Sequence, residues 1–267
     1  MIVFPNAKIN IGLNVVSKRA DGYHNLETAF CPIKINDALE VVLGEATQFT
    51  SSGIFIPGNP ENNLCLKAYE LIKRDLDLPP MKIHLHKNIP IGAGLGGGSA
   101  DCGFFIRLIN DLCNLNLSAE NMKDYARQLG ADCAFFIDNK PVFAFDKGDQ
   151  FEELELDLSA YYLVLVMPPV YVSTAEAYAS VQPKPAAFDL KSVLKSPVEE
   201  WKTKVKNDFE VSIFRHHPQI LWVKEALYQN GALYAAMSGS GASVFGIFNQ
   251  KPDLQELEQA NRVFYNV

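Results

Sequence analysis

Between Ile89 and Gly103 the chain reads IPIGAGLGGGSADCG, and five of the seven residues from Gly92 to Gly98 are glycine. Main-chain N–H groups unobstructed by Cβ atoms can converge on an anion, and a helix opening at Ser99 to Asp101 adds the positive end of its dipole. The chemistry this permits is the gripping of a phosphate on backbone donors, with side-chain charge brought from elsewhere. Two named phosphate motifs compete for the same residues. Gly92, Gly94 and Gly97 satisfy G-x-G-x-x-G, but a dinucleotide site needs a buried parallel strand directly before it, whereas MKIHLH alternates and Pro90 interrupts. Gly92, Gly97 and Ser99 have Walker A spacing, but Gly98 stands where the lysine belongs. The bland alternative is a tight helix–strand contact in which glycine merely allows close approach, and packing rarely demands so many glycines.

Other side chains suited to chemistry are scattered. Asp132, in GADCAFFI, sits beside an apolar run, where an acid is costly to bury unpaired; the commoner fate of such a residue is a cap or turn. Lys8, in AKINIGL, is by default a solvated strand residue. Asp21-Gly22-Tyr23-His24 reads as a turn carrying two rings, and it also suits a base-reading loop: a tyrosine stacks on a pyrimidine face and a histidine hydrogen-bonds its edge. His84, His86, His216 and His217 have no ligand-like setting, and Cys31, Cys65, Cys102, Cys113 and Cys133 show neither a CxxC pair nor zinc spacing. No metal site is expected, and the cysteines read as reduced thiols of a cytoplasmic protein.

The elements that must position these residues follow from periodicity. INIGLNVV, LETAFCPIKI and ALEVVL read as strands, ENNLCLKAYELIKRDL as a helix capped by Asn62 or Asn63, and MKIHLH as a half-exposed strand. A helix follows the glycines. SAENMKDYARQLG opens with a capping box from Ser118 to Asn121 and ends at Gly130. PVFAFDKGDQFEEL is a hairpin. A second block opens with the strand YYLVLVMP, continues through helical TAEAYASV, VEEWKTKV and ILWVKEALYQNG, turns tightly within ALYAAMSGSGASVFGIF, and closes with LQELEQANRVF as a helix. The pattern is α+β in two blocks, 1–155 and 156–267, with the change near residues 152–160.

The 267 residues carry a net charge of −7, which argues against a nucleic-acid binder or a membrane-surface binder. No apolar run reaches membrane-spanning length, and MIVFPNAKIN has neither the basic region nor the apolar stretch of a signal peptide.

PIGAGLGGGSADCG resembles the phosphate-binding motif of the GHMP kinases, the family of galactokinase, homoserine kinase, mevalonate kinase and phosphomevalonate kinase. Residues 7–30, AKINIGLNVVSKRADGYHNLETAF, resemble the N-terminus of the branch that phosphorylates a cytidine diphosphate-linked polyol in the non-mevalonate isoprenoid pathway. AAMSGSGASVFGIF (235–248) resembles the third motif of the family, GADCAFFI (130–137) the segment with the catalytic aspartate, and VKNDFE (205–210) an Asn-Asp-apolar-Glu segment. These matches run in family order along most of the chain.

The resemblance implies a two-lobed GHMP kinase fold, with an N-terminal lobe like ribosomal protein S5 domain 2 and a ferredoxin-like C-terminal lobe. It implies that Asp132 is the catalytic base and Lys8 its ammonium partner. ATP, arriving with Mg²⁺, would be held by Pro90, Gly92, Ala93, Gly94, Leu95, Gly96, Gly97, Gly98, Ser99 and Ala100, with Lys87 and Asn63 nearby. The substrate would be met by Asn10, Tyr23, His24, Thr174, Tyr178, Gly239, Ser240 and Gly241. A small-molecule partner, no nucleic acid, no membrane, and a monomer or weak homodimer are expected. The family usually follows Ser99-Ala100-Asp101 with small alanines; here Cys102, Gly103, Phe104 and Phe105 follow, and Gly103 loosens the helix by about 1 kcal/mol relative to alanine. The rivals are another GHMP kinase acting on mevalonate or homoserine, for which Tyr23 and His24 would be pointless, and a non-catalytic nucleotide-binding module.

Overall fold

The computed structural model describes residues 1–267. The strands are β1 (Ile2–Val3), β2 (Asn6–Lys18), β3 (His24–Asn36), β4 (Ala38–Leu43), β5 (Gln48–Gly53), β6 (Met81–Lys87), β7 (Val142–Asp146), β8 (Gln150–Glu153), β9 (Tyr162–Met167), β10 (Tyr234–Met237), β11 (Val244–Phe248) and β12 (Arg262–Tyr265). The helices are α1 (Leu64–Lys73), α2 (Gly97–Leu112), α3 (Ala119–Leu129), α4 (Phe135–Asp138), α5 (Thr174–Ala179), α6 (Leu190–Leu194), α7 (Trp201–Lys204), α8 (Glu210–His216), α9 (Pro218–Gln229) and α10 (Gln255–Ala260). They group into two compact units that interleave along the chain. The first comprises residues 1–8, 34–91 and 96–140; the second comprises 9–33, 92–95 and 141–267.

The first unit is a four-stranded sheet, ordered β1-β4-β6-β5, with helices α1 to α4. β6 alternates as its sequence requires: Met81, Ile83, Leu85 and Lys87 are buried, while Lys82 and His86 are exposed. Its inward residues join Leu39 and Val41 of β4, and α1 and α2 bury Tyr69, Ile72, Phe105, Ile106 and Ile109. Asn63 caps α1, its Oδ1 accepting from the N–H of Cys65 at 2.9 Å. Ser118 caps α3 as the capping pattern predicts, accepting from Asn121 N at 3.2 Å. β5, QFTSSG, pairs in parallel with β6 and has no counterpart in the periodicity reading, because only Phe49 in it is strongly apolar.

The second unit holds two sheets. In one, ordered β2-β3-β7-β8, the predicted hairpin Val142–Glu153 pairs antiparallel. The other is ordered β10-β11-β9-β12 and is antiparallel throughout. Its chain order, β9–helices–β10–β11–α10–β12, is the split βαβ arrangement of ferredoxin-like folds. Val164, Val166, Ala235, Met237 and Val244 form its core with Ile220, Val223 and Leu227 of α9. The closing segment corrects the sequence expectation. The helix ends at Ala260, and Arg262–Tyr265 becomes an outer strand on β9, because Val263 pairs with Val166 and packs partly buried against the core.

Candidate active site

In the first unit, the helix after the glycines starts earlier than Ser99. α2 begins at Gly97, and its N-cap, Gly96, has φ 67° and no side-chain cap bond. The first N–H groups of a helix have no partner within it, so Gly97, Gly98 and Ser99 offer main-chain donors at the positive end of the dipole. The first internal bond closes behind them, from Ala100 N to Gly96 O at 2.8 Å. Gly96 is required on two counts: its left-handed backbone, and the approach of Lys8, whose Cε would lie 3.0 Å from an added Cβ. Gly98 is exposed and faces open space, with no neighbour closer than 3.9 Å to an added Cβ. Packing therefore does not demand glycine there. Ser99 is half-buried, and Pro90 and Ala100 are buried.

Lys8 and Asp132, distant in sequence, meet. Lys8 Nζ lies 3.2 Å from Asp132 Oδ2, and the side chains are 4% and 33% exposed respectively. The lysine is not the solvated strand residue that its setting suggests. Asp132 does not cap α4, whose N-cap is Ala134 without a side-chain bond. The turn bearing Asp132 is seated on α2 through Gly103, where an added Cβ would lie 2.9 Å from the Cys133 carbonyl oxygen and 2.7 Å from Phe136 Cβ. Gly103, expected only to loosen the helix, is what lets this turn close on it.

Lys87 is also buried, in a different arrangement. Its ammonium donates to Asp37 Oδ2 and, at 2.7 Å, to Asp101 Oδ2. Burial opposes its charge, but Asp101 and Asp37 more than offset this and hold it above the usual lysine range. Burial pushes Asp101 well above the usual carboxylate range; Lys87 pulls the other way, and the neighbouring Asp37 carboxylate pushes further up. Asp101 Oδ1 is buried without a hydrogen-bond partner. The buried thiols are held protonated: burial pushes Cys31 to about 12 and Cys65 well above the usual range, and a hydrogen bond with Cys133, with burial, does the same for Cys102. No group of three or more His, Cys, Asp or Glu side chains forms a metal cage. His84 and His86 share the hydroxyl of Ser52 at 3.0 Å on an open sheet face.

In the second unit, Gly92, Ala93, Gly94 and Leu95 lie against the turn between β10 and β11. Ser238 Oγ accepts from Asn10 N at 3.2 Å and donates to Gly94 O at 2.9 Å. A Cβ at Gly94 would lie 2.0 Å from the Ser238 carbonyl oxygen. The glycine turn is held from beneath by Asn207, whose Nδ2 donates to the carbonyls of Met237 and Gly239, both at 2.8 Å. Glu210 Oε1 accepts from Met237 N at 2.9 Å, and Asp208 Oδ2 accepts from Val15 N at 2.9 Å. Asn10 is buried and donates to Thr28 Oγ1 at 3.0 Å. Gly239 and Gly241 have positive φ, and Ser240 between them is half-buried. Asn207, Asp208, Glu210 and Ser238 lie outside the site residues expected from sequence, although three of them fall in the VKNDFE segment.

The loop expected to meet a base lies in the same unit. Tyr23 is 63% exposed, with Lys147 Nζ 5.6 Å from its ring centroid. Tyr178 stacks on His24, with centroids 5.0 Å apart and planes at 26°, and Phe209 braces it edge-on at 4.8 Å. Thr174 and Tyr178, one helical turn apart, share a face of α5. Burial, with Lys18 nearby, holds His24 below the usual histidine range. Its neutral ring presents one donor and one acceptor, as a base edge requires.

A helix start with free main-chain donors beside an acid–ammonium pair, in an α+β chain with a split-βαβ sheet, fits a small-molecule kinase of the GHMP class, to which the chain belongs. Residues 63–140 match the GHMP kinases N terminal domain and residues 190–266 match GHMP kinases C terminal. Within that class the chain belongs to the 4-diphosphocytidyl-2-C-methyl-D-erythritol kinase family. It is 54% identical over 256 residues to the protein of that name from Parabacteroides distasonis, covering 96% of this chain and 94% of the relative. It is 51% identical over 262 residues to the one from Bacteroides fragilis strain YCH46, covering 97% and 96%. The solved structure of a 4-(cytidine 5'-diphospho)-2C-methyl-D-erythritol kinase superposes with a TM-score of 0.85 at 28% identity, covering 99% of this chain and 98% of that one. No helix is long and apolar enough to cross a membrane.

Proposed function

We propose that the chain transfers the γ-phosphate of ATP to the 2-hydroxyl of 4-diphosphocytidyl-2-C-methyl-D-erythritol, releasing ADP and the 2-phosphate, in isoprenoid precursor synthesis. The acceptor follows from the names of the full-length relatives. The observation that carries the chemistry is the 3.2 Å contact of Lys8 Nζ with Asp132 Oδ2, together with the approach of the same lysine to Gly96 at the start of α2.

In this reading Asp132, one third exposed, takes the proton of the acceptor hydroxyl as its oxygen bonds to the γ-phosphorus and the bond to the ADP oxygen breaks. Transfer is direct and in line, without a phosphoenzyme. Lys8 stabilises negative charge on the reacting oxygens. Main-chain donors from Gly92 to Ser99 wrap the triphosphate, with Ala100, Pro90, Asn63 and Lys87 supporting the nucleotide. The Ser99 hydroxyl at the start of α2 is the protein oxygen that would meet Mg²⁺ bound to ATP, and the ion would supply neutralisation of phosphate charge. Tyr23 and His24 bind the cytosine by stacking and by edge hydrogen bonds; Tyr178 closes the stack, and Asn10, Thr174, Gly239, Ser240 and Gly241 contact the substrate. Residues 1–155 act as the ATP-binding domain and 156–267 as the C-terminal domain of a cytoplasmic monomer or weak dimer.

The test is ADP release with MgATP and the cytidylated methylerythritol, against mevalonate, homoserine and CMP controls. ADP release on the cytidylated polyol alone is expected. Release on mevalonate or homoserine would transfer the chain to another GHMP activity, and nucleotide binding without turnover on any of them would make it a binding module.

A further inference from the structure

Asp37 joins β3 to β4 and is buried, and its side chain gathers the segment that leads into the glycines. Its Oδ1 accepts from the N–H of Asn88 at 2.6 Å and of Ile89 at 2.8 Å, while Oδ2 takes the Lys87 ammonium. Its own N–H donates to the carbonyl of Pro5 at 2.8 Å, three residues before Lys8. Lys87 then passes beneath the first turn of α2. A Cβ on Gly97 would lie 3.0 Å from Lys87 Nζ and 2.8 Å from Ile89 Cγ2, and the same ammonium bonds Asp101 in the next turn of the helix. One residue therefore ties the segment before β2 through its main-chain N–H, and its carboxylate ties the approach to the glycines and, through Lys87, the height of the α2 start.

We propose that Asp37 is a positioning residue for the ATP triphosphate: through Lys87 and the amides of Asn88 and Ile89 it holds the first turn of α2 in its phosphate-receiving pose, an inference that rests on reading Gly96–Ala100 as the phosphate cradle. Asparagine at position 37 keeps the shape, and with its one oxygen still accepting from both amides it turns its NH2, a donor, against the Lys87 ammonium. The lysine loses its charged partner at position 37 and shifts, and the neighbour it presses on is Gly97. The effect falls on main-chain donors to ATP and not on the groups that meet the cytosine or on Asp132.

The experiment compares wild type and Asp37→Asn by steady-state kinetics with both substrates varied, and by calorimetric binding of a non-hydrolysable ATP analogue. The expected result is a rise of about tenfold in the KM for MgATP and in the analogue Kd, with kcat and the KM for the acceptor within about twofold of wild type. Unchanged ATP constants, or a parallel loss in both substrates that follows reduced thermal stability, would overturn the proposal. If Asp37→Asn does not fold, Lys87→Arg serves instead. It keeps the charge and both carboxylate partners while placing a bulkier head under Gly97, and the same ATP-selective loss is expected. Failure of the wild-type protein to bind the analogue would strike the cradle reading itself, and Asp37 with it.

Discussion

Two lysines lie side by side under the start of α2, and they are built for opposite ends. Lys8 presses on Gly96 and Lys87 on Gly97, and both side chains are 4% exposed. Lys8 meets Asp132, a carboxylate left one third open. Lys87 is shut in between Asp37 and Asp101, which are 0% and 4% exposed. The ingredients are the same, an ammonium and carboxylate under a glycine, and access separates them. An acid that solvent can reach, a substrate hydroxyl can reach too; an acid sealed behind a lysine can only hold structure. The comparison also shows why neighbouring glycines are needed for different reasons. Gly96 needs its left-handed φ as well as room, whereas Gly97 is helical and needs only room for what passes below.

The sharpest way to break this contrast is to neutralise the two sites in turn. Asp132→Asn is expected to lower kcat roughly a thousandfold, the scale of a lost general base, with the Kd for an ATP analogue within about twofold. Single-turnover kinetics and calorimetry measure the two quantities separately, and near-normal turnover would remove Asp132 from the chemistry. Lys87→Met should act mainly on the fold. Removing one partner of a buried ion cluster costs about 3–5 kcal/mol, because it strands charge away from water. For a chain of this length that corresponds to a fall of roughly 10 °C in Tm. A variant that kept its Tm would show that the triad is not structural.

Asp101→Asn sharpens the same contrast through pH. The folded chain holds a proton on Asp101 above the ordinary carboxylate range, which the unfolded chain does not. The folded state therefore binds more protons in that window, and wild-type stability declines as pH rises from the unfolded carboxylate value, near 4, to the raised folded value, by up to about 1.4 kcal/mol per pH unit. Asp101→Asn lacks this dependence. Denaturant titrations upward from pH 5 are expected to show the variant gaining on wild type as pH rises through the window above the ordinary carboxylate range. A gap that moved the other way would mean that Asp101 stays ionised against Lys87.

How much of this was legible in the chain depended on distance. The glycine stretch, Asn63 and Ser118 as caps, and the Val142–Glu153 hairpin are local patterns, and periodicity and capping chemistry located them. Asp37 was invisible, because a single acid between two strands looks like turn chemistry until Asn88 and Ile89 are known to lie against it. Asn207 and Glu210 sat inside a motif already noted, but their partners at Met237 and Gly239 come about thirty residues later. β5 escaped because its sequence is polar and its pairing is through main chain. Resemblance reached Lys8 and Asp132 where periodicity suggested only a solvated lysine and a turn acid.

The smallest expected effect separates packing from ligand contact at one atom. Gly98 lies one residue beyond the glycines seated on the two lysines, is helical and exposed, and meets nothing closer than 3.9 Å to an added Cβ. Alanine there should stabilise the helix by about 0.5–1 kcal/mol relative to glycine, a rise in Tm of a few degrees at most. If the open space is where phosphate sits, the same methyl group intrudes on it, and the KM for ATP should rise several-fold while stability improves. Calorimetric melting and initial-rate kinetics on the one variant read both signs. Higher stability with unchanged ATP affinity would leave the glycine at 98 without a ligand-based reason, and would move the proposed phosphate contact away from the first turn of α2.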